Sequence, residues 1–321
     1  VVAVSLVDTT YFVSVSARDS ATGNLSLPSA VDSDSTQPTL DFWESYRAAG
    51  GTEPGGCSSS NSGLPWFGGF ALLGLLFVSR RKTAAAAIAA CLLVPGMAHA
   101  ELVLVQDSSI SGAFELKLGR YSPSVDDEFT GSSPYEDTFG DRNPMYLELE
   151  YDYQFWREFG SLGAFVGVGW HQIKGVAFNE DGSASDTDFT RMRTIPLRLG
   201  VVYRFDELHR RWNIPLAFSA KFGLDYYVWS VRDTDGTATA EIDGEQVSGR
   251  GGTSGYHFAF GAHLLLDSFA PGMASTFDLN TGVNNTYFFA EVTMAQINDF
   301  GSETSFNLSD TSVLFGLAFE F

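Results

Sequence analysis

Tyr146-Leu147-Glu148-Leu149-Glu150-Tyr151-Asp152-Tyr153-Gln154-Phe155-Trp156 decides the fold. Leu147, Leu149, Tyr151, Tyr153 and Phe155 fall on one side, and Glu148, Glu150, Asp152 and Gln154 on the other. A period of two over eleven residues is a β-strand with one apolar face and one charged face. Seven further segments repeat it: Ala113–Tyr121, Ser161–Gln172, Arg193–Phe205, Ile214–Val231, Gly255–Leu266, Thr286–Gln296 and Ser312–Phe321. A strand crossing a membrane at a tilt needs ~9–11 residues, and each segment reaches about that length.

Eight such segments predict an all-β chain: an eight-stranded antiparallel transmembrane β-barrel, with the apolar face toward lipid and the charged face inward. Backbone groups in hydrocarbon must all be paired, so the sheet must close. The connections after segments one, three, five and seven are long, at about 122–145, 173–192, 232–254 and 297–311. Those after segments two and four, 157–160 and 206–213, are short. Short turns face the periplasm and long loops the outside. The exception, 267–285, has room for a short helix. A soluble barrel with the apolar face inside is the alternative, because alternation alone does not say which face is inner.

Composition agrees. Of 321 residues, 14% are aromatic and 33 are glycine, and the formal net charge is −20. That balance excludes a nucleic-acid binder working through a basic surface. All but seven of the 39 acidic residues lie in 101–321. Two cysteines, Cys57 and Cys91, exclude a disulfide scaffold.

The first hundred residues read differently, and the chain begins with Val, as a fragment or processed product would. Residues 1–29 resemble the closing hairpin of a fibronectin type III-like sandwich. Residues 30–64, rich in Ser, Asp, Pro, Gly and Thr, read as a linker containing a Gly-Cys motif. Residues 65–82 hold an apolar run, Pro65–Val78, and then Arg80-Arg81-Lys82. This order resembles the C-terminal sorting tails of myxobacterial surface proteins, which would make Cys57 the processing or lipid-attachment point. Residues 83–100 have signal-peptide anatomy, with Ala98-His99-Ala100 as a small-x-small site and cleavage after Ala100. Two joined reading frames, or a helical hairpin anchor, would each explain that order. The region before the barrel is thus expected to be mostly unstructured, with short apolar helices.

Within 101–321, six runs resemble a family of myxobacterial outer-membrane β-barrel proteins. They are FELKLGRYSP (114–123), YEDTFGD (135–141), YDYQFW (151–156), VYRFD (202–206), KFGLDYYVW (221–229) and GVNNTYFF (282–289). The family is defined by its barrel, so the resemblance implies fold and location and no chemistry. The terminal Phe321, with apolar residues at alternate positions before it, looks like the signal read by the outer-membrane assembly machinery.

Eight strands enclose a space just wide enough for side chains. The inward charges Glu148, Glu150, Asp152, Arg198, Arg204, Lys221, Asp225 and Glu291 are expected to pair as a polar plug. A narrow ion path lined by them is the alternative. An acyl hydrolase or transferase acting on lipid is another, with Ser254 and His257 or His171 at the rim as its candidates. His257 and His263 lie six residues apart, ~20 Å along a strand, too far to share one metal. The Gly-rich run 249–255 reads as loop. No cofactor is expected. The expected partners are outer-membrane lipids and lipopolysaccharide, with divalent cations on the acidic loops around Glu180–Asp188 and Asp233–Glu245. The expected role is structural or surface interaction.

Overall fold

In a computed structural model the described residues are 10–35, 39–52, 111–142, 144–179, 183–234, 236–242, 245–302 and 305–321. Cys57, the apolar run 65–78, Ala100 and the signal-like segment lie outside them.

Eight strands close on themselves: β4 (Gly112–Arg120), β5 (Met145–Trp156), β6 (Ser161–Asn179), β7 (Ala184–Phe205), β8 (Leu216–Arg232), β11 (Arg250–Leu265), β12 (Asn285–Ile297) and β13 (Asp310–Glu320). Each pairs antiparallel with the next, and β13 returns to β4 with Leu317 opposite Leu116 and Phe319 opposite Phe114. Phe321 continues the seam, its N–H donating to the Gly112 carbonyl at 3.0 Å. Among the described residues no helix is long and apolar enough to cross a membrane.

The connections after β5, β7 and β11 lie at one end. Two carry helices, α3 (Glu207–Trp212) and α4 (Pro271–Thr281), the second inside the expected long turn. At the other end the loops are built. The first holds a 3₁₀ turn, Val125–Glu128, and α2 (Pro134–Phe139). The third holds a hairpin of β9 (Thr239–Ile242) and β10 (Glu245–Ser248).

Three sequence readings need correction. Residues 173–192 are mostly strand and not loop, since β6 and β7 run 19 and 22 residues. Toward the loop end their inward side chains, among them Ile173 and Met192, join a buried core. The Gly-rich run is strand from Arg250 onward. Gly251 faces Trp229 across the ladder, and a Cβ there would fall 2.6 Å from the indole. The missing side chain thus makes room for a ring, which is a strand role for glycine.

The third correction concerns the linker. Residues 30–64 include β2 (Asp32–Ser35), paired with β1 (Thr10–Val13), then β3 (Thr39–Leu40) and α1 (Phe42–Ala48). Asp41 caps α1 in a full capping box: the Glu44 N–H donates to its carboxylate at 2.9 Å, and its own N–H donates to Glu44 at 3.0 Å. Phe42, Trp43 and Tyr46 fall on one helical face and are wholly buried. Polar flanks set the average composition and hid this seven-residue amphipathic piece.

Candidate functional site

The interior is built in layers. Inward positions of β4, β5, β8 and β12 bring Glu115, Lys117, Glu148, Glu150, Lys221 and Glu291 together. Lys117 Nζ lies 2.7 Å from Glu150, 2.9 Å from Glu291 and 3.1 Å from Glu148. Lys221 Nζ lies 2.6 Å from Glu115 and 3.1 Å from Glu291, and also contacts Glu150. Toward the turn end, Arg204 bridges Glu115 at 2.6 Å, Glu320 at 2.7 Å and Asp152 at 3.2 Å. Toward the loop end, Arg198 donates to Glu148 at 2.7 Å and to the Tyr227 hydroxyl at 2.8 Å. Its Nε lies 3.6 Å from Asp225, which in turn meets His257 Nδ1 at 2.6 Å.

All eight charges expected to plug the lumen therefore lie in one connected network. Lys117, Glu115 and Glu320 belong to it as well. Their signal was present, since Glu115 and Lys117 occupy the charged face of their segment. These groups are almost inaccessible: Lys117 is 1% exposed and Glu148 0%. A charge so far from water is tolerable only when paired.

The outward positions are the reverse. Leu149, Val166, Leu197, Phe222, Phe258, Val292 and Phe315 all point away from the interior, and Val166 is 53% exposed. Apolar side chains ring the barrel while charges fill it. Lipid is the solvent that suits such a surface. The chain is a transmembrane β-barrel.

At the loop-end edge of the apolar band, Arg193 lies over the Trp170 ring at 4.6 Å. Aromatic rings beside cations mark the interface between hydrocarbon and water.

No protein-family model and no curated protein sequence matches the chain. Among solved structures, it is similar to Ail, the attachment invasion locus protein of Yersinia pestis, solved with the heparin analogue sucrose octasulfate. That match has 13% identity and a TM-score of 0.33, and covers 66% of this chain and 97% of that one. OprG of Pseudomonas aeruginosa gives 9% identity and a TM-score of 0.36, over 67% and 98%. The N-terminal barrel domain of OprF from the same organism gives 9% and 0.28, over 66% and 100%. At these values nothing passes from those proteins to this one, and the barrel stands on its own strand pairing.

The barrel does not assemble the candidate Ser254–His257 pair. Thr253, Gly255 and His257 point inward on β11 while Ser254 points outward, so the two side chains lie on opposite faces. His171 is buried, its ring nitrogens make no hydrogen bond, and its ring meets Tyr121 edge-on at 4.8 Å. The pairing that does form is His263 Nε2 with Ser219 Oγ at 2.9 Å. Both residues are sealed inside and His263 Nδ1 has no partner, so no third group orients the imidazole. Glu115, Glu150 and Asp152 bring carboxylate oxygens close enough for one cation. Lys221, Lys117 and Arg204 already fill that role.

The loop end carries the second constellation. Phe42 packs on Phe139 at 5.0 Å, Trp43 on Trp229 at 5.5 Å, and Tyr46 on Phe306 at 5.0 Å. Polar contacts frame them. The Trp43 indole donates to the Val247 carbonyl at 3.0 Å, Tyr46 to Glu128 at 2.9 Å, and Thr39 to Asp188 at 3.0 Å. Gly249 belongs to the same seat, where a Cβ would meet the indole at 3.1 Å.

The carboxyls here are perturbed. Burial pushes Asp41 up to about 7, with Glu44 and Asp233 adding repulsion. Burial also raises Glu44, again with Asp233 adding to it, and Glu128. Raised values favour the seated state in acid. The gain is complete below the free carboxyl value and is lost as pH climbs through 7. The segment is therefore held more tightly at pH 5 than at pH 8. Hydrogen exchange at the Trp43–Ala48 amides, corrected for intrinsic rate, should show at least ~10-fold less opening at pH 5. Equal opening at the two values would contradict this.

Proposed function

We propose that the protein is an outer-membrane barrel whose work is done at its loop end, by surface interaction, around a lumen that conducts nothing. One observation carries the reading: the charges that could line a pore are paired, inaccessible and capped by a packed aromatic layer. A conducting lumen would keep its charges hydrated. The built loops and the seated segment give the barrel one elaborated end.

Reconstitution into planar bilayers tests this. The expected record has no resolved conductance steps. Steady steps from the unaltered protein would favour the narrow-pore reading. A lipid-acting enzyme would instead require a reachable nucleophile, which neither Ser254 nor Ser219 supplies beside a usable histidine.

The partners we propose are outer-membrane lipid and lipopolysaccharide along the apolar band, with divalent cations bridging acidic loops to anionic headgroups. For Phe321 we propose the role of assembly signal. Its backbone closes the seam with Gly112, and its ring stacks on Tyr151 at 6.1 Å. Kinship with myxobacterial outer-membrane barrels, and processing at Cys57 and Ala100, are proposed on the sequence runs quoted above.

A further inference from the structure

Thr39–Gly51 sits at the wrong end of the barrel for its place in the chain. Its contacts are with Glu128, Phe139, Asp188, Val247 and Phe306, all at the loop end. The barrel begins at Gly112, paired with Phe321, at the turn end. Between Thr52 and Ser111 stand 58 residues. At ~3.3 Å per residue such a link far exceeds the height of any barrel, so it does not press the segment into place. The contacts alone must hold it.

They are of the kind that hold a ligand. Two modes of peptide recognition combine. Thr39 and Leu40 add a short strand to β6 at Asn179 and Phe178, above the point where β5 ends. The helix that follows then lays Phe42, Trp43 and Tyr46 into an aromatic socket. Buried Trp and Tyr in a dry pocket, with their polar atoms bonded, are what dominates binding at interfaces. The seat is cut to this ligand, since Gly249 leaves the space that the indole fills.

We propose that the loop end of the barrel is a peptide-binding seat whose ligand is the Thr39–Gly51 segment, held by contacts alone and separable from the barrel. The barrel then anchors whatever the segment carries. Here that is the hairpin of β1 and β2, whose connecting residues 14–31 are all exposed. The inference deepens the surface-interaction reading and rests on it: the partner is an exported polypeptide bearing a short strand, an Asp helix cap and three aromatic residues.

The test uses the full chain with a specific protease site inserted after Gly56 and an affinity tag before Val1. The folded protein is cut in detergent and captured by the tag. The barrel fragment is expected to be captured with the tagged piece. Trp43→Ala should cut that co-capture by ~30-fold, and Ser26→Ala, in the exposed hairpin, should leave it unchanged. Separation of the two pieces on cutting, while the barrel band still shifts on boiling, overturns the seat and leaves the barrel reading intact. A chain without any heat-dependent shift overturns the barrel reading, and the seat with it. A second measurement needs no cut. With Cys57 and Cys91 replaced by serine, Leu40→Cys and Phe178→Cys stand opposite each other across the ladder, at a spacing that suits a disulfide. Formation of the cross-link is expected, and its failure in the folded chain contradicts the seat.

Discussion

Lys221→Met is expected to remove most of the folded barrel. The ammonium lies against Glu115, Glu150 and Glu291, and all four side chains are almost wholly buried. Methionine fills similar space and leaves three carboxylates with one fewer cation between them. Removing one partner of a buried pair costs ~3–5 kcal/mol, because the remaining charge stays buried. A shared network can spread that cost, but Lys117 already serves Glu148, Glu150 and Glu291. The folded fraction, read as the heat-modifiable band across a urea series, should fall accordingly. Adding Glu150→Gln removes one of the uncompensated charges and should restore part of it. Arg210→Ala is the comparison. Arg210 pairs with Glu207 at 2.9 Å, but its side chain is 43% exposed, and such a pair contributes ~1 kcal/mol or less. Equal effects of Lys221→Met and Arg210→Ala would contradict a dry, paired lumen.

Phe222→Lys is expected to block insertion where Phe269→Lys does not. Phe222 points outward from β8 between Val201 and Phe258, at the level of the Lys221 layer inside. A lysine on the lipid face near the midplane costs ~2–4 kcal/mol, falling toward zero near the interfaces. Phe269 is 68% exposed, yet it follows β11 at the turn end, beyond the strands. A lysine there meets water. Recovery of folded protein from lipid vesicles separates the two variants. If both insert equally well, the outer face at Phe222 does not meet lipid.

The pattern of β5 contained the central result. Alternate residues of Tyr146–Phe155 face lumen and lipid as their period demands, a bulge between Gln154 and Trp156 turning Trp156 outward as well, and all eight expected strands form. Period two survives because each side of these strands meets one uniform solvent, hydrocarbon or a polar core. Legibility failed where that condition failed. Toward the loop end, β6 and β7 have water on one side and a loop-built core on the other, so Ile173, Lys174 and Gly175 carry no apolar stripe. Gly251 and Gly252 read as loop because glycine signals turns, whereas here the absence of a side chain admits the rings of Trp229 and Tyr226. The segment around Phe42, Trp43 and Tyr46 is short. Its meaning depends on residues as distant in sequence as Phe306, which no local window contains.

The lumen charges were readable as a set and unreadable as partners. Facing side tells that Arg204 points inward. It does not tell that Arg204 meets Glu320, which is 116 positions away and reaches it only because the sheet closes. Closure also explains the Ser219–His263 contact, which no motif announces. The Ser254–His257 idea failed on parity alone, since residues three apart on a strand lie on opposite faces.

The most direct test of the account is a ring of single-cysteine variants, one per barrel strand, in a background with Cys57 and Cys91 replaced by serine. The positions are Leu118, Leu149, Val166, Leu197, Phe222, Phe258, Val292 and Phe315, all exposed on the outer wall. Each is labelled with an environment-sensitive fluorophore in vesicles and challenged with brominated lipid and with aqueous iodide. All eight are expected to be quenched by the lipid and spared by iodide, with a label at Ser26 showing the opposite. Quenching by iodide at these positions would mean that the outer wall faces water, and the transmembrane barrel would have to be abandoned.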